Sequence, residues 1–244
     1  MKARLAKFHS AYRDPERVVL EGLHPLKHAL RFKAEIEAIC TPDKAALLAS
    51  ALAIAPDLSP CLKDRGEEVP ADLYARLARH DAPAHVIAIA RRPPTMIATL
   101  ANLPGPLVFL ENPSHLGNIG AVIRVSAAAG AAGVLTSGPA DPWHPTCLRG
   151  AAGLHFALPV CKLDDPATAL TGRTLVAVDP AGEPLPEARP LGAQVTIAFG
   201  TESSGLSADL RARADRVIAI PMRPGVSSLN LATSVAIVLY SHVL

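Results

Sequence analysis

The second half of the chain alternates short apolar runs with helical segments, and this alternation restricts the fold more than any other feature of the sequence. The apolar runs cover residues 107–110, 133–136, 174–178, 195–199 and 217–220. Strands that alternate with helices usually form a parallel sheet that is covered on both faces. Ligands bind such sheets beyond the carboxyl ends of the strands. We therefore predict an α/β fold whose functional residues lie in the loops that follow these strands.

Three of those loops carry polar side chains where a helix begins. They belong to segments 110–130, 197–207 and 218–240, and the polar residues are Asn118, Arg124, Glu202, Ser228 and Asn230. Taken alone, Arg124 is more often expected to be a structural or surface arginine. If its guanidinium is buried among its apolar neighbours, it needs an anionic partner such as a phosphate or a carboxylate. Helix capping is the alternative explanation for the carboxylate and for the last two residues. Taken together, the three loops predict one shared polar site.

Bulk properties indicate a globular protein. The 244 residues, of which 50% are hydrophobic, suffice for one large domain or two small ones, and a net charge of +2 does not by itself indicate a partner. Cys40, Cys61, Cys147 and Cys161 lack the paired spacing of zinc and redox motifs, and no apolar signal segment precedes Arg17. We therefore expect a reduced, cytoplasmic protein without a metal.

The most apolar stretch, residues 229–239, predicts a buried helix. It is interrupted by Asn230, Thr233 and Ser234, and it is shorter than the roughly 20 apolar residues that a membrane-spanning helix needs. No association with a membrane is expected.

A change of pattern at residues 93–106 predicts a linker between two domains, because prolines flank a short apolar run there. Residues 18–92 then form a small α/β domain, with strands at 18–20, 36–40 and 86–90 and helices at 24–32, 43–51 and 71–79. Residues 107–244 form the second domain. Residues 1–17 form a basic arm, for which a solvated tail is favoured over a nucleic-acid contact.

A nicotinamide site is one alternative for the first loop. The segment Gly117-Asn118-Ile119-Gly120 follows a strand but lacks the full glycine fingerprint of dinucleotide-binding folds. The next strand ends in Thr136-Ser137-Gly138, without the acidic residue that would hold a ribose. A dinucleotide is therefore disfavoured as the ligand.

The three loops together resemble the three motifs of the SpoU/TrmH branch of the SPOUT RNA ribose 2′-O-methyltransferases. The matching residues are Asn118 and Arg124 in the first motif, Gly200, Glu202, Gly205 and Leu206 in the second, and Ile220, Pro221, Met222, Gly225, Ser228, Leu229 and Asn230 in the third. The resemblance covers residues 107–244. Gly22 with residues 24–30 is similar to the small substrate-binding domain, related to ribosomal protein L30, of many members. Residues 143–159, with Arg149 and Gly153, are similar to a further family segment.

This resemblance implies a catalytic domain with a deep trefoil knot, which periodicity would not predict. It also implies that S-adenosylmethionine is the cofactor. The cofactor-binding positions carried over from the family are Gly200, Ile220 and Leu229, with Thr201 and Met222 as neighbours. The catalytic positions carried over are Arg124, Asn118, Glu202, Ser228 and Asn230. We interpret Arg124 as the group that stabilises alkoxide charge and anchors a phosphate, because a guanidinium does not lose its proton.

The resemblance further implies an RNA substrate, with ribosomal RNA favoured over transfer RNA because of the L30-like domain, and a homodimer formed through the last helix. An RNA-binding protein of the same fold that has lost catalysis is the rival from another class, and a nicotinamide-linked enzyme is the third possibility. Binding of the methyl donor would distinguish the first two.

Overall fold

A computed structural model of the chain describes residues 2–79, 84–94, 100, 102–166, 172–187, 191–192, 194–201 and 204–243. The chain divides into two compact units. The first consists of Met1–Pro94 with Ala152–Ala157, and the second of Thr95–Ala151 with Leu158–Leu244.

The first unit is a four-stranded sheet with helices. Its elements are α1 (Lys2–Ala11), β1 (Arg17–Glu21), α2 (Leu23–Arg31), β2 (Ile36–Thr41), α3 (Lys44–Ile54), α4 (Ser59–Arg65), β3 (Glu67–Glu68), α5 (Ala71–Leu77) and β4 (Ile87–Arg91), with 3-10 turns at Pro56–Leu58 and Leu154–Phe156. The strand order is β1-β4-β2-β3, and β4 runs antiparallel to β1 and β2. The predicted strands and helices of this region match in position. The short exposed strand β3 was not predicted, because two glutamates carry no strand signal.

The N-terminal segment differs from the solvated tail that its charge predicted. Residues Lys2–Ala11 form α1. Leu5, Phe8 and Ala11 recur at helical spacing and join the core of the first unit, where the Phe8 side chain is fully buried. Apolar periodicity therefore outweighs the basic composition in this segment.

The second unit is a six-stranded sheet whose strands are all parallel. Its elements are β5 (Leu107–Leu110), α6 (Leu116–Ala128), β6 (Gly133–Thr136), α7 (Pro145–Gly150), β7 (Val160–Lys162), β8 (Thr174–Pro184), β9 (Val195–Phe199), α8 (Ala208–Arg213), β10 (Arg216–Ala219) and α9 (Leu231–Val243). The strand order is β10-β8-β9-β5-β6-β7. Every residue of β5, β6 and β9 is buried, which is why these strands are apolar throughout rather than alternating.

The register of the central strands brings the ends of three strands together. Leu110 at the end of β5 pairs with Thr136 of β6 and with Phe199 of β9. The loops that follow β5 and β9 therefore start side by side at the carboxyl edge of the sheet.

The observed strands differ from the predicted ones at two places. β7 is only three residues long and was not predicted, and β8 continues to Pro184, beyond the predicted end at residue 178. The extension runs beside β10, where Gly182 lies so close to the backbone of Ile218 that a Cβ atom would come within 2.6 Å of it. A glycine permits this approach, although it weakens the usual sequence signal of a strand.

No helix in the described ranges is both long enough and apolar enough to cross a membrane.

A buried arginine donates hydrogen bonds to several backbone carbonyl groups at the amino-terminal edge of the second sheet. Arg173 is 8% exposed, and its Nη1 donates hydrogen bonds to the carbonyl oxygens of Leu103 at 2.8 Å and Leu100 at 3.4 Å. Its Nη2 donates to the carbonyl oxygens of Val195, at 3.2 Å, and Gly105. Burial lowers the pKa of the guanidinium. One guanidinium thus binds carbonyl groups at the beginnings of both central strands, β5 and β9. No sequence pattern predicts this role for Arg173.

We expect Arg173→Met to lower the free energy of unfolding by about 3 kcal/mol or more, because several buried carbonyl groups lose a charged donor. Arg213→Met is the matched control, since the Arg213 side chain is 37% exposed and its ion pair with Asp209, at 3.8 Å, is long. The control should change stability by less than about 0.5 kcal/mol. Denaturant unfolding compares the two, and equal effects would contradict the role of Arg173.

Candidate functional site

The loops after β5 and β9 are held together by a carboxylate. The backbone amide of Glu111 donates to the carbonyl oxygen of Phe199 at 2.9 Å. The Glu111 carboxylate accepts hydrogen bonds from the Ser207 backbone amide at 2.7 Å and from its Oγ at 2.6 Å. Ser207 also caps α8, because its Oγ accepts from the amide of Leu210 at 3.1 Å. The first two motif loops therefore have a fixed relative position.

A cavity of about 370 Å³ opens between the second and third motif loops and residues 178–180 of β8. Its lining includes all five residues predicted to bind the cofactor: Gly200, Thr201, Ile220, Met222 and Leu229. Val178, Asp179 and Pro180 also line it, and sequence reasoning missed them. The sequence holds no motif there. The only available signal was their position at the end of a predicted strand.

The second motif loop turns back on itself, and this explains its glycines. Thr201 and Gly205 exchange two backbone hydrogen bonds of 3.1 Å each, and Gly205 has a φ of +68°. A Cβ atom at Gly200 would lie 1.9 Å from the carbonyl carbon of Gly205 and 2.1 Å from the amide nitrogen of Leu206. Only glycine fits at residue 200, and its backbone borders the cavity.

The third motif loop, residues 220–229, forms neither a helix nor a strand. Among the described residues, one backbone hydrogen bond forms within 220–229, from the amide of Val226 to the carbonyl of Arg223 at 3.1 Å. Ile220, Met222 and Leu229 lie in this segment and line the cavity. Their backbone donors and acceptors are therefore available to the edge of a planar ligand, and the apolar side chains of the lining suit its faces.

Asn230 connects the third loop to the first. Its Oδ1 accepts from the amides of Ala232 at 2.9 Å and Thr233 at 3.4 Å, which caps α9. Its Nδ2 donates to the Oδ1 of Asn118, on α6, at 3.1 Å. The capping explanation is confirmed for Asn230, and its role in a site stays a prediction. Ser228 lines the cavity and is exposed.

Arg124 does not occupy the buried position that its apolar neighbours suggested. Ile119, Val122 and Ile123 turn the apolar face of α6 to the core, and Arg124 lies exposed on the other face. Gly117, two turns earlier on the same face, has no atom within 4 Å of a built Cβ position. In the described part of the chain, no carboxylate lies within ion-pair distance of Arg124. The expected burial of Arg124 is wrong, and the residue is exposed, as the surface alternative predicts.

Three further predictions concern Glu202, Arg149 and the absence of a metal. Glu202 lies outside the described residues. Arg149 is exposed on α7, where its Nη2 donates to Thr146 Oγ1 at 3.3 Å. No group of three or more His, Cys, Asp or Glu side chains in the described ranges is arranged to hold a metal ion.

Comparison with known proteins assigns the chain to a family. A family model, the SpoU rRNA Methylase family, matches residues 105–240, and the chain belongs to this family. A 23S rRNA (adenosine(1067)-2′-O)-methyltransferase of Streptomyces laurentii is 28% identical over 234 residues, which cover 91% of this chain and 84% of the relative. A 23S rRNA (uridine(2479)-2′-O)-methyltransferase of Streptomyces viridochromogenes is 29% identical, with coverage of 79% and 66% respectively.

Solved structures agree with the family. The SpoU methyltransferase AviRb of Streptomyces viridochromogenes, in complex with AdoMet, superimposes with a TM-score of 0.79 at 23% identity, covering 99% of this chain and 97% of that one. An RNA 2′-O ribose methyltransferase superimposes with a TM-score of 0.72 at 27% identity, covering 97% and 94%. The predicted family and the α/β fold class are confirmed. The knot and the roles of individual residues remain predictions.

We expect Gly200→Ala to weaken the binding of S-adenosylmethionine at least about tenfold, because the added methyl group forces the loop at residues 200–206 to move. Gly117→Ala is the control, since its Cβ meets no atom within 4 Å and the residue does not line the cavity. The control should keep the wild-type affinity. Titration calorimetry measures both variants, and unchanged binding by Gly200→Ala would contradict the assignment of this cavity.

Proposed function

We propose that this chain uses S-adenosylmethionine to methylate the 2′-hydroxyl of a ribose in ribosomal RNA. The observation that carries the proposal is the position of the three motifs. The cavity lined by the second and third motifs lies beside the Asn118–Asn230 pair, and Asn118 shares α6 with Arg124. The related 23S rRNA 2′-O-methyltransferases support the type of RNA and the position of the methyl group.

The cavity suits the proposed cofactor. Gly200 admits close approach to the backbone, the 220–229 segment offers backbone amides and carbonyls, and Leu229 contributes apolar surface. When bound, S-adenosylmethionine would supply an electrophilic methyl group. Gly200, Thr201, Ile220, Met222 and Leu229 would hold it.

Arg124 acts on the RNA. A ribose hydroxyl is a weak nucleophile, so the site must stabilise the negative charge that develops on its oxygen. The guanidinium supplies fixed N–H donors and a permanent charge, and it cannot act as a general base because it keeps its proton. Its exposure on α6 leaves it accessible to a phosphate and a ribose. Arg124 therefore binds the RNA backbone and stabilises the nucleophile.

Asn118, Asn230, Ser228 and Glu202 complete the proposed site as positioning residues. Asn230 is fixed by its capping bonds to α9, so its amide holds the Asn118 side chain in one orientation. Asn118 lies six residues, nearly two turns, before Arg124 on α6. The pair thereby links the α9 cap to the helix that carries the catalytic arginine.

The first unit is proposed to bind RNA as well. Residues 18–92 would serve as the substrate-binding domain, and ribosomal RNA is favoured because the named relatives act on it. Sequence-specific recognition of RNA usually relies on loops and bulges whose bases are unstacked. A separate binding domain would select such a target and deliver it to the catalytic unit.

Arg124→Ala should lower methylation of ribosomal RNA by about 10²-fold or more, because it removes a donor that acts on developing charge. Binding of S-adenosylmethionine should persist, since Arg124 does not line the cavity. Arg124→Lys should also be strongly impaired because the ammonium lacks the planar fork. Arg213→Ala, an exposed arginine on α8, is the control and should keep full activity. Radiometric methyl transfer and calorimetry measure these properties, and full activity of Arg124→Ala would overturn the role.

Asn230→Ser separates capping from positioning. Serine caps a helix about as well as asparagine, so stability should stay within about 0.5 kcal/mol of wild type, but its short side chain cannot reach Asn118. Methylation should therefore fall while thermal stability stays. Asn230→Ala should lose about 1 kcal/mol of stability as well as activity. If Asn230→Ser were fully active, the contact with Asn118 would have no part in positioning.

We also propose that two copies of the chain pair through α9. Thr233, Ile237 and Tyr240 are spaced by four and three residues, which places them on one face, and all three are exposed. Ile237 and Tyr240 are 37% and 42% exposed despite their apolar surface. Exposed apolar residues at helical spacing are typical of a helix that packs against a partner.

The double substitution Ile237→Lys with Tyr240→Lys should therefore convert the protein to a monomer in sedimentation velocity, because charges would be buried at the interface. Leu52→Lys is the control. Leu52 is an apolar residue of α3 that is 61% exposed, and its substitution should leave the dimer intact. A wild-type protein that sediments as a monomer would exclude the dimer.

A further inference from the structure

The wall of the cavity carries a single charge in the part of the chain that the structure describes. Asp179 is the one charged residue among the described residues of the lining; the others are apolar, hydroxyl-bearing or glycine. It lies two residues beyond Ala177, where β8 stops pairing with β9, and so stands past the carboxyl edge of this ladder. Its side chain is 13% exposed. A largely buried carboxylate that is the one charge among the described lining residues favours a ligand that carries positive charge.

The carboxylate of Asp179 is held in place by two hydrogen bonds. Its Oδ1 accepts from the backbone amide of Ala181 at 3.0 Å, and its Oδ2 accepts from Nη1 of Arg211 at 3.3 Å. The Arg211 side chain is 44% exposed, so water screens its charge more than that of the carboxylate. Arg211 therefore orients Asp179 and reduces its field in the cavity only in part.

The proposed reaction changes the charge of the ligand in this cavity. S-adenosylmethionine carries a sulfonium cation, and transfer of the methyl group turns that sulfur into a neutral thioether in S-adenosylhomocysteine. The remainder of the two molecules is the same. A fixed carboxylate on the wall consequently distinguishes donor from product by one unit of charge.

We propose that Asp179 is a specificity-determining residue that makes the cavity prefer S-adenosylmethionine over S-adenosylhomocysteine. This inference rests on the proposed function, because it concerns the cofactor of that same site. The preference favours release of the product after each turnover and loading of a fresh methyl donor. Arg211 weakens this preference for S-adenosylmethionine, because its guanidinium offsets part of the negative field of the Asp179 carboxylate.

The test is titration calorimetry of wild type, Asp179→Asn and Arg211→Gln with each of the two ligands. Asparagine keeps the acceptor for Ala181 but removes the charge. We expect Asp179→Asn to weaken S-adenosylmethionine binding about tenfold and S-adenosylhomocysteine binding less than about twofold. Arg211→Gln should raise the ratio of the two affinities in favour of S-adenosylmethionine. Arg213→Gln, on the same helix, is the control and should leave the ratio unchanged.

Opposite shifts in the two variants are the result that a purely structural role would not give. If Asp179 only stabilises the backbone at Ala181, both substitutions weaken both ligands alike, and the inference is overturned while the proposed function stands. An unchanged ratio in Asp179→Asn overturns it in the same way. Wild-type protein that binds neither ligand would overturn the proposed function, and the inference with it.

Discussion

The parallel pairing of β5 with β6 and β9 is the constraint on which the rest of the second unit depends. It sets Leu110, Thr136 and Phe199 side by side, so the first two motif loops leave the sheet at one edge. The Glu111 carboxylate then fixes those loops to each other through Ser207. At the opposite edge, Arg173 donates hydrogen bonds to the carbonyl groups of Leu103, before β5, and Val195, in β9. The site is therefore a consequence of strand register before any catalytic residue is considered.

Two residues near the cavity each cap a helix and also make a second contact. Ser207 caps α8 and binds Glu111, and Asn230 caps α9 and binds Asn118. A cap fixes the side chain that provides it, because the helix amides hold its oxygen. Polar groups fixed in this way are already oriented when a ligand arrives, which reduces the cost of ordering them during catalysis.

The sequence predicted much of this arrangement because the relevant signals are local. Buried parallel strands are apolar runs, and the glycine at residue 200 follows such a run because only glycine permits the turn back to Gly205. The five proposed cofactor-binding residues line one cavity for the same reason: each follows the carboxyl end of a strand or lies in the loop that continues from it.

What could not be predicted depends on tertiary position. The exposure of Arg124 depends on which face of α6 meets the core, and neighbours in sequence do not reveal that face. Asp179 reaches the cavity only because β8 extends past its pairing with β9. The core position of Phe8 was hidden by the basic residues around it. A knot is a property of the whole path of the chain, so no local pattern could predict it.

We propose above that the cavity between the second and third motif loops, together with Arg124, directs methylation to a ribose oxygen. The most direct test incubates purified protein with S-adenosylmethionine labelled in its methyl group and ribosomal RNA from cells that lack the gene, followed by mapping of the label. We predict that the label is found as a 2′-O-methyl group at one defined nucleotide. Label on a base, or no transfer to RNA by protein that binds the cofactor, would contradict it.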